Sequence, residues 1–274
     1  MSTTARTLPA AIRQSCAQYA DRPAIIDGDY RATYAQLLPQ IEQAASALIA
    51  LGVQAGERVA VWAPNVYEWI IAACGTHMAG AVLVPINTRM KGLEANDILE
   101  RSGCKVLFSV GDFLGSYYPD MIADGRPASL EHIIVLRQAP KNPSELSWEG
   151  FLARGTAATL AQVSQREAAL QGGDMADLMF TSGTTGKPKG VKLGHEASIR
   201  TIAEWARVVG LVAGDHFLII NPFFHTFGYK AGWLAALLHG ATIYPHQVFD
   251  AATVLQRIQD EKITFLPGPP TLFL

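Results

Sequence analysis

The sequence has little charge. Lys, Arg, Asp and Glu make up 17% of its 274 residues, whereas globular proteins usually carry roughly 25%. The 22 basic and 24 acidic residues give a net charge of −2, so nucleic acid is not an expected partner. The apolar share of 49% excludes a disordered, collagen-like or coiled-coil chain. Low charge with many apolar residues is typical either of an unusually buried chain or of part of a larger protein.

Cysteine and long apolar runs are also scarce. Cys16, Cys74 and Cys104 have no Cys-x-x-Cys spacing, which predicts reduced, buried thiols rather than a disulfide framework or a zinc site. Polar residues interrupt Leu8–Ala20, so no secretory signal is predicted. The longest apolar tract, Trp69–Ile86, contains glycine, histidine and proline and predicts a buried helix followed by a strand, not a membrane span. We therefore expect a cytoplasmic protein.

Helical and strand patterns alternate along the chain. Thr33 and Gln36 form a capping-box pattern that predicts the start of a helix. Buried strands that alternate with helices favour parallel βαβ units and the α/β class. The predicted strands are Arg58–Trp62, Ala81–Ile86, Lys105–Ser109, His132–Leu136, Asp177–Thr181, His216–Ile220, Ala241–Tyr244 and Ile263–Leu266. The predicted helices include Val66–Met78, Leu93–Arg101 and 196–209. The apolar end, Thr271–Leu274, resembles a first helical turn and indicates a sequence that is cut.

The strongest chemical signal is a loop between two predicted strands. It reads Thr181-Ser182-Gly183-Thr184-Thr185-Gly186-Lys187-Pro188-Lys189-Gly190. Its glycines allow close backbone approach to a ligand, and its hydroxyls and lysines suit a polyphosphate. It is not a Walker A loop, because Pro188 follows Gly186-Lys187, and the sequence has no Gly-x-Gly-x-x-Gly. The alternative is a flexible surface linker, which the flanking apolar strands and paired lysines disfavour.

Leu178–Lys189 resembles, at every position, the AMP-binding signature of the adenylate-forming enzymes. This family includes acyl-CoA synthetases, aryl-CoA ligases, luciferases and peptide-synthetase adenylation domains. Three further segments resemble family motifs in the expected order: Ala32–Leu37, Ala79–Asn87 and Asn221–Gly228. The resemblance covers essentially the whole chain.

The resemblance implies a two-step ligase reaction. A carboxylate attacks the α-phosphorus of ATP to give an acyl-adenylate and pyrophosphate, and coenzyme A then takes the acyl group. It also implies that Thr181 helps to ligate Mg²⁺. By resemblance, the β- and γ-phosphates are held by Thr181, Ser182, Gly183, Thr184, Thr185, Gly186 and Lys189.

The resemblance also implies an acyl site after the strand at 216–220. His225 would border the reacting carboxylate as the catalytic residue; the alternative is a core histidine. Amino-acid-activating domains carry an aspartate at this position to pair the substrate ammonium, so His225 favours a plain organic acid. Lys230 is interpreted as a surface lysine, or else as a partner for a CoA phosphate or a polar substrate group. The implied substrate pocket consists of Phe224, Phe227, Gly228, Tyr229 and Trp233, about half of which we expect to be core.

The run 220–232, together with 267–271, is most similar to one subgroup. Its members are CoA ligases that activate the hexahydroindanedione propanoate left from steroid degradation. This similarity predicts a fatty or ring-bearing carboxylic acid as the substrate.

The family implies two stacked βαβ-type subdomains of an N-terminal adenylation domain, spanning 8–274. One would cover about 57–195, and the other about 8–53 plus 196–274. The sequence has no Tyr-Gly-x-Thr-Glu motif and, by resemblance, lacks the ribose-binding aspartate and the lysine-bearing C-terminal lid. We therefore expect a fragment, incomplete at its C-terminus, that is inactive alone.

Two other function classes remain open. One is a non-catalytic fragment that binds a nucleotide or acyl-adenylate, and the other is a kinase-like NTPase, which the missing Walker motifs disfavour. We include a homodimer among the expected partners. Five histidines are interpreted as ordinary loop or helix-end residues without metal-site spacing: His77, His195, His216, His239 and His246. The acidic residues near Arg101 are interpreted as a solvated helix face.

Overall fold

Strands and helices alternate in the computed structural model, which describes residues 5–181 and 188–272. The strands are β1 (Pro23–Asp27), β2 (Tyr30–Thr33), β3 (Arg58–Trp62), β4 (Val82–Pro85), β5 (Cys104–Val110), β6 (Asp112–Phe113), β7 (Ser116–Tyr117), β8 (His132–Leu136), β9 (Leu146–Ser147), β10 (Met175–Thr181), β11 (Lys189–Gly194), β12 (His216–Ile219) and β13 (Thr242–Pro245). The helices are α1 (Leu8–Gln18), α2 (Tyr34–Ala50), α3 (Tyr67–Met78), α4 (Gly92–Ser102), α5 (Tyr118–Met121), α6 (Trp148–Leu152), α7 (Ala157–Ala169), α8 (His195–Val209), α9 (Thr226–Gly228), α10 (Ala235–His239) and α11 (Ala251–Asp260). A π-helical turn, Tyr229–Leu234, joins α9 to α10, and a 3₁₀ turn covers Pro270–Leu272.

Two main sheets organise these elements. The seven-stranded sheet has the order β11-β10-β4-β3-β5-β8-β9 and is parallel except for β11, which pairs antiparallel with β10. The four-stranded sheet has the order β12-β13-β1-β2, with β2 antiparallel to β1. The predicted α/β class with parallel sheets is confirmed.

The two sheets draw their strands from different parts of the chain. The larger sheet uses residues between 58 and 194, whereas the smaller sheet uses residues between 23 and 33 and between 216 and 245. The division into two discontinuous subdomains stays a prediction, and this strand distribution supports it.

Local sequence explains how the first long helix starts and packs. At the start of α2, the backbone N–H of Gln36 donates to the Thr33 hydroxyl at 3.3 Å, and Gln36 Oε1 accepts from the Thr33 N–H at 3.0 Å. This is the predicted capping box. Helix α3 approaches α2 closely at Gly75, where a Cβ would lie 2.8 Å from the Ala44 Cβ. Small residues on both helices therefore let the two backbones meet.

An aromatic cluster joins α3 to the segment after β12. Trp69 of α3 contacts Phe223, Tyr229 and Trp233 at ring-centre distances of 5.8, 5.6 and 5.7 Å. All four side chains are fully buried. The core therefore fixes residues 223–233, which the sequence places at the acyl site, against a helix of the larger sheet.

The predicted strand Ile263–Leu266 is not a strand. Only Phe265 forms a bridge, to Phe217 of β12, with the Leu218 N–H donating to the Phe265 carbonyl at 3.2 Å. Pro267 follows at once and has no N–H to continue a ladder. The segment consequently adds only this bridge beside β12, in which the N–H groups of Thr264 and Phe265 also donate to the His216 carbonyl at 3.1 Å.

The predicted states of the cysteines are confirmed, since Cys16, Cys74 and Cys104 are free and buried. Among the described residues, no helix is long and apolar enough to span a membrane.

Candidate active site

Strands β10 and β11 form a hairpin that carries the predicted phosphate loop. Thr181 and Lys189 are register partners at its end, and the Thr181 hydroxyl donates to the Lys189 carbonyl at 3.5 Å. Both residues are exposed. The predicted ligands Ser182, Gly183, Thr184, Thr185 and Gly186 lie outside the described residues. The structure thus brings the two ends of the loop together at the tip of an antiparallel pair.

Arg101, at the end of α4, contacts both arms of this hairpin. Its guanidinium donates to the Pro188 carbonyl at 2.8 Å and lies 5.2 Å from the ring centre of Phe180. It also pairs with Asp97 at 3.0 Å. The sequence had suggested only a solvated face here. The contacts make Arg101 a positioning residue for the hairpin tip.

If the hairpin binds the phosphates of ATP, as the sequence predicts, replacing Arg101 by alanine is expected to weaken ATP binding by about five-fold. The loss corresponds to roughly 1 kcal/mol for a half-exposed hydrogen bond from a charged group. An acyl-adenylate analogue, which has no β- or γ-phosphate, is expected to bind within about two-fold of wild type. Isothermal titration calorimetry measures both affinities. Arg207→Ala is the control, because Arg207 forms an exposed pair with Glu204; an equal loss for both ligands with Arg101→Ala would contradict the assignment.

A cleft lies where the hairpin meets the segment after β12. We name it the adenylate cleft, after the ligand that the sequence predicts here; its volume is about 280 Å³. Its lining residues are Pro85, Asn87, Met90, Ile98, Met179, Phe180, Thr181, Val191, Leu193, Phe224, His225 and Thr226. Pro85 and Thr181 end two adjacent parallel strands, β4 and β10. Open α/β sheets bind ligands at such carboxyl ends. The structure therefore brings Thr181, Phe224 and His225 together.

His225 is exposed and caps the short helix α9. Its Nδ1 accepts a hydrogen bond from the Phe227 N–H at 3.2 Å. In the neutral ring the proton then resides on Nε2, because Nδ1 is the acceptor. His225 can accordingly offer a hydrogen-bond donor to an oxygen in the cleft.

Asn65, which the sequence did not single out, holds the backbone that leads to His225. Its amide nitrogen donates to the carbonyls of Ile219 and Asn221 at 3.1 and 3.0 Å, and its Oδ1 accepts from the Phe223 N–H at 2.8 Å. The residue is 3% exposed. It follows β3 of the larger sheet and so ties the His225 segment to that sheet.

A second, mainly apolar cleft of about 410 Å³ adjoins the first. We name it the acyl cleft. It is lined by Leu193, Ala197, Ser198, Thr201, Ile202, Trp205, Thr226, Phe227, Lys230 and Ala231. Leu193 and Thr226 line both clefts. The volume of the acyl cleft lies in the range of about 300–1,000 Å³ that is usual for small-molecule sites.

The predicted pocket residues divide between cleft and core. Phe224 lines the adenylate cleft and Phe227 the acyl cleft. Gly228, Tyr229 and Trp233 are buried and are outside the lining of both clefts as the described residues form them. Tyr229 and Trp233 stack at 4.9 Å. They support the cleft wall from behind.

A buried polar cluster lies under the acyl cleft. Asp177 accepts hydrogen bonds from the Tyr229 hydroxyl at 2.7 Å, from His77 Nε2 at 3.2 Å and from the Lys230 ammonium at 2.5 Å. Burial alone would raise the pKa of Asp177, but Lys230 and His77 outweigh burial and lower it. Burial lowers the pKa of Lys230, and the Asp177 charge partly offsets this. The cluster joins the strand that precedes the phosphate loop to the π-helical turn.

One sequence interpretation needs correction here, and a second gains a detail. Lys230 is 8% exposed and ion-paired, so it is not a surface lysine. His77 and His195 do lie at helix ends, in the last turn of α3 and at the start of α8, but both are buried, at 0% and 1% exposure. The Leu8 N–H donates to His195 Nδ1 at 3.3 Å, and burial together with His77 lowers the pKa of His195 to about 3. Both histidines therefore belong to the core and its polar cluster.

The fold is an α/β fold of two mainly parallel sheets, with a cleft at the carboxyl ends of β4 and β10. The family model for AMP-binding enzymes matches residues 12–274. The chain therefore belongs to the AMP-binding enzyme family.

Two similar curated proteins are 3-[(3aS,4S,7aS)-7a-methyl-1,5-dioxo-octahydro-1H-inden-4-yl]propanoyl:CoA ligases. The Mycobacterium tuberculosis protein is 44% identical over 98% of this chain and 52% of its own length. The Rhodococcus jostii protein is 42% identical over 100% of this chain and 54% of its own. The chain thus spans about half the length of these relatives.

A solved structure of the anthranilate CoA ligase AuaEII in complex with anthranoyl-AMP superimposes with a TM-score of 0.84 and 26% identity. It covers 97% of this chain and 50% of that one. The inhibitor-bound N-terminal domain of FACL13 from Mycobacterium tuberculosis gives a TM-score of 0.79 and 27% identity, covering 97% and 63%. These neighbours agree with the fold of an adenylate-forming N-terminal domain.

Proposed function

We propose that this chain supplies the ATP site and the acid site of an AMP-forming acyl-CoA ligase. The observation that carries the proposal is the placement of Thr181 and His225 in one cleft that adjoins an apolar cleft. ATP phosphates would lie at the β10–β11 hairpin, the carboxylate beside His225, and the acyl group in the acyl cleft. The curated relatives are named as CoA ligases.

The proposed first step forms one bond and breaks another. A carboxylate oxygen attacks the α-phosphorus of ATP, and the bond from that phosphorus to pyrophosphate breaks. In the second step the CoA thiolate attacks the acyl carbon and AMP leaves. Preorganised donors at the loop would stabilise charge on the departing pyrophosphate. We assign this role to Thr181, Ser182, Gly183, Thr184, Thr185, Gly186 and Lys189.

Mg²⁺ belongs to this proposal. The exposed Thr181 hydroxyl at the hairpin tip fits as one oxygen ligand, and Mg²⁺ prefers oxygens and usually takes several from phosphate and water. Among residues 5–181 and 188–272, no group of three or more His, Cys, Asp or Glu could hold an ion. Most ligands would accordingly come from ATP and water. Bound Mg²⁺ would neutralise phosphate charge.

We further propose a plain, ring-bearing carboxylic acid as substrate. The described lining of the acyl cleft contains no Asp or Glu to pair a substrate ammonium. The names of two relatives specify a dioxo-indenyl propanoyl group. An apolar cleft of about 410 Å³ suits such a ring.

The test is titration of the purified 274-residue chain with a non-hydrolysable acyl-adenylate analogue of a ring-bearing propanoate. Binding of the analogue is expected, because the chain supplies Thr181 and His225 to the adenylate cleft. A folded chain that does not bind the analogue would contradict the proposal. Acid-dependent exchange of pyrophosphate into ATP separates catalysis from mere binding. Light scattering of the same sample tests the predicted homodimer.

A further inference from the structure

Lys230 occupies an unusual place for an ammonium group. It lines the acyl cleft, where most neighbouring residues are apolar, yet it is only 8% exposed. A buried ammonium needs compensation for each lost contact with water. Packing alone does not explain why a lysine, rather than an apolar residue, occupies this position.

Lys230 lines the acyl cleft, and its bond to Asp177 leaves donor capacity on the ammonium. An ammonium has three donors. One hydrogen bond goes to Asp177 Oδ2 at 2.5 Å, and the nitrogen lies 4.3 Å from the ring centre of Tyr229. Asp177 itself is held by Tyr229 and His77. The ion pair therefore fixes the ammonium in place beside the cleft.

Other polar groups of the cleft are less suited to bind a ligand acceptor. The Thr201 hydroxyl donates to the Ala197 carbonyl of its own helix at 2.9 Å. Ser198 is 8% exposed and offers a neutral hydroxyl. Hydrogen bonds from charged donors are roughly twice as strong as neutral ones. Lys230 is the charged group in the described lining of this cleft.

We propose that Lys230 is a specificity-determining residue that donates a hydrogen bond to a carbonyl oxygen on the acyl part of the substrate. The proposal rests on the proposed function and narrows its substrate class to oxo acids. A hydrocarbon acid would displace water from the ammonium without offering a hydrogen-bond acceptor in its place. A ring ketone would offer its carbonyl oxygen as the new acceptor. Sites that use a buried hydrogen-bond donor reject analogues without the acceptor more strongly than they reject a changed methylene.

The experiment compares two acyl-adenylate analogues that differ only in a ring ketone against a methylene. Wild type is expected to bind the oxo analogue at least ten-fold more tightly by calorimetry. The double variant Asp177→Asn with Lys230→Met removes both charges, so that neither is left buried alone. It is expected to bind both analogues within about two-fold of each other. Circular dichroism and thermal unfolding establish that the variant is folded.

Thr253→Val is the control, because its hydroxyl bonds Asp250 at the start of α11, outside the lining of both clefts, and its loss should leave the ten-fold ratio intact. Equal binding of both analogues by wild type would overturn the inference while leaving the proposed function standing. So would loss of the ratio in Ser198→Ala with no change in the double variant. Failure of wild type to bind either analogue would instead defeat the proposed function. If the double variant does not fold, Lys230→Met alone tests the same point: it removes the donor while Asp177 keeps its hydrogen bonds from Tyr229 and His77, and a ratio that stays ten-fold would count against Lys230.

Discussion

Replacing Asp177 by asparagine is expected to lower the free energy of unfolding by about 3–5 kcal/mol, the range for breaking a buried ion pair from one side. Asp177 is fully buried and pairs with Lys230, whose side chain is 11% exposed. Asparagine can still accept from Tyr229 and His77, but it leaves the ammonium without a counter-charge. Urea unfolding followed by fluorescence of the buried tryptophans measures the loss.

Two comparisons isolate the charge effect. Glu204→Gln breaks an exposed pair with Arg207, in which the side chains are 62% and 71% exposed, and should cost less than about 1 kcal/mol. Adding Lys230→Met to Asp177→Asn should recover part of the lost stability, because no unpaired charge then remains. A single variant as stable as Glu204→Gln would show that the pair is not desolvated as the structure indicates.

Much of the larger sheet could be predicted from the sequence. Strands Arg58–Trp62 and His132–Leu136 have the predicted bounds, because strands buried on both faces are continuous apolar runs. The β1–β2 pair was not predicted. Its strands are only half-buried, with the pattern eBBii in β1, so neither a continuous run nor a clear alternation marks them. The helix α7, which buries only Val163, was missed for the same reason.

The candidate site was predictable where it follows a contiguous motif. Thr181 and His225 lie in such motifs, and the structure brings them to one cleft. Lys230 and His77 could not be interpreted in this way. Their common partner Asp177 lies 53 and 100 residues away along the chain. Whether a charged side chain is buried and paired therefore depends on which strands and helices meet, and no local pattern records that.

The role of Asn65 also could not be predicted from the sequence, because its partners are distant along the chain. Its three backbone partners lie at Ile219, Asn221 and Phe223, more than 150 residues later. The only available signal was a polar residue directly after a buried strand, where ligand-binding residues concentrate in α/β folds. That signal indicates a nearby binding site, but it does not indicate that Asn65 holds residues 219–223 in place.

Replacing Gly228 by alanine is expected to destabilise the protein by about 1–3 kcal/mol and to weaken acyl-adenylate binding at least ten-fold. The backbone of Gly228 is helical, with φ −74° and ψ −29°, and alanine readily adopts these angles. The obstacle is steric. A Cβ would lie 2.2 Å from the carbonyl oxygens of both Asn221 and Pro222. Calorimetric titration with the analogue and urea unfolding measure the two effects.

Residues 221–222 cannot move away from the new Cβ without a cost in free energy, because the Asn221 carbonyl accepts a hydrogen bond from Asn65 at 3.0 Å. Displacing it breaks that buried bond and moves the backbone that carries His225. Gly173→Ala is the matched control, since a Cβ there meets nothing within 4 Å, and its stability should change by less than about 0.5 kcal/mol. If Gly228→Ala bound the analogue as tightly as Gly173→Ala, the 221–228 segment would have to be free to shift without affecting the site. The His225 position would then not depend on Asn65, and the adenylate cleft would need another element to hold its shape.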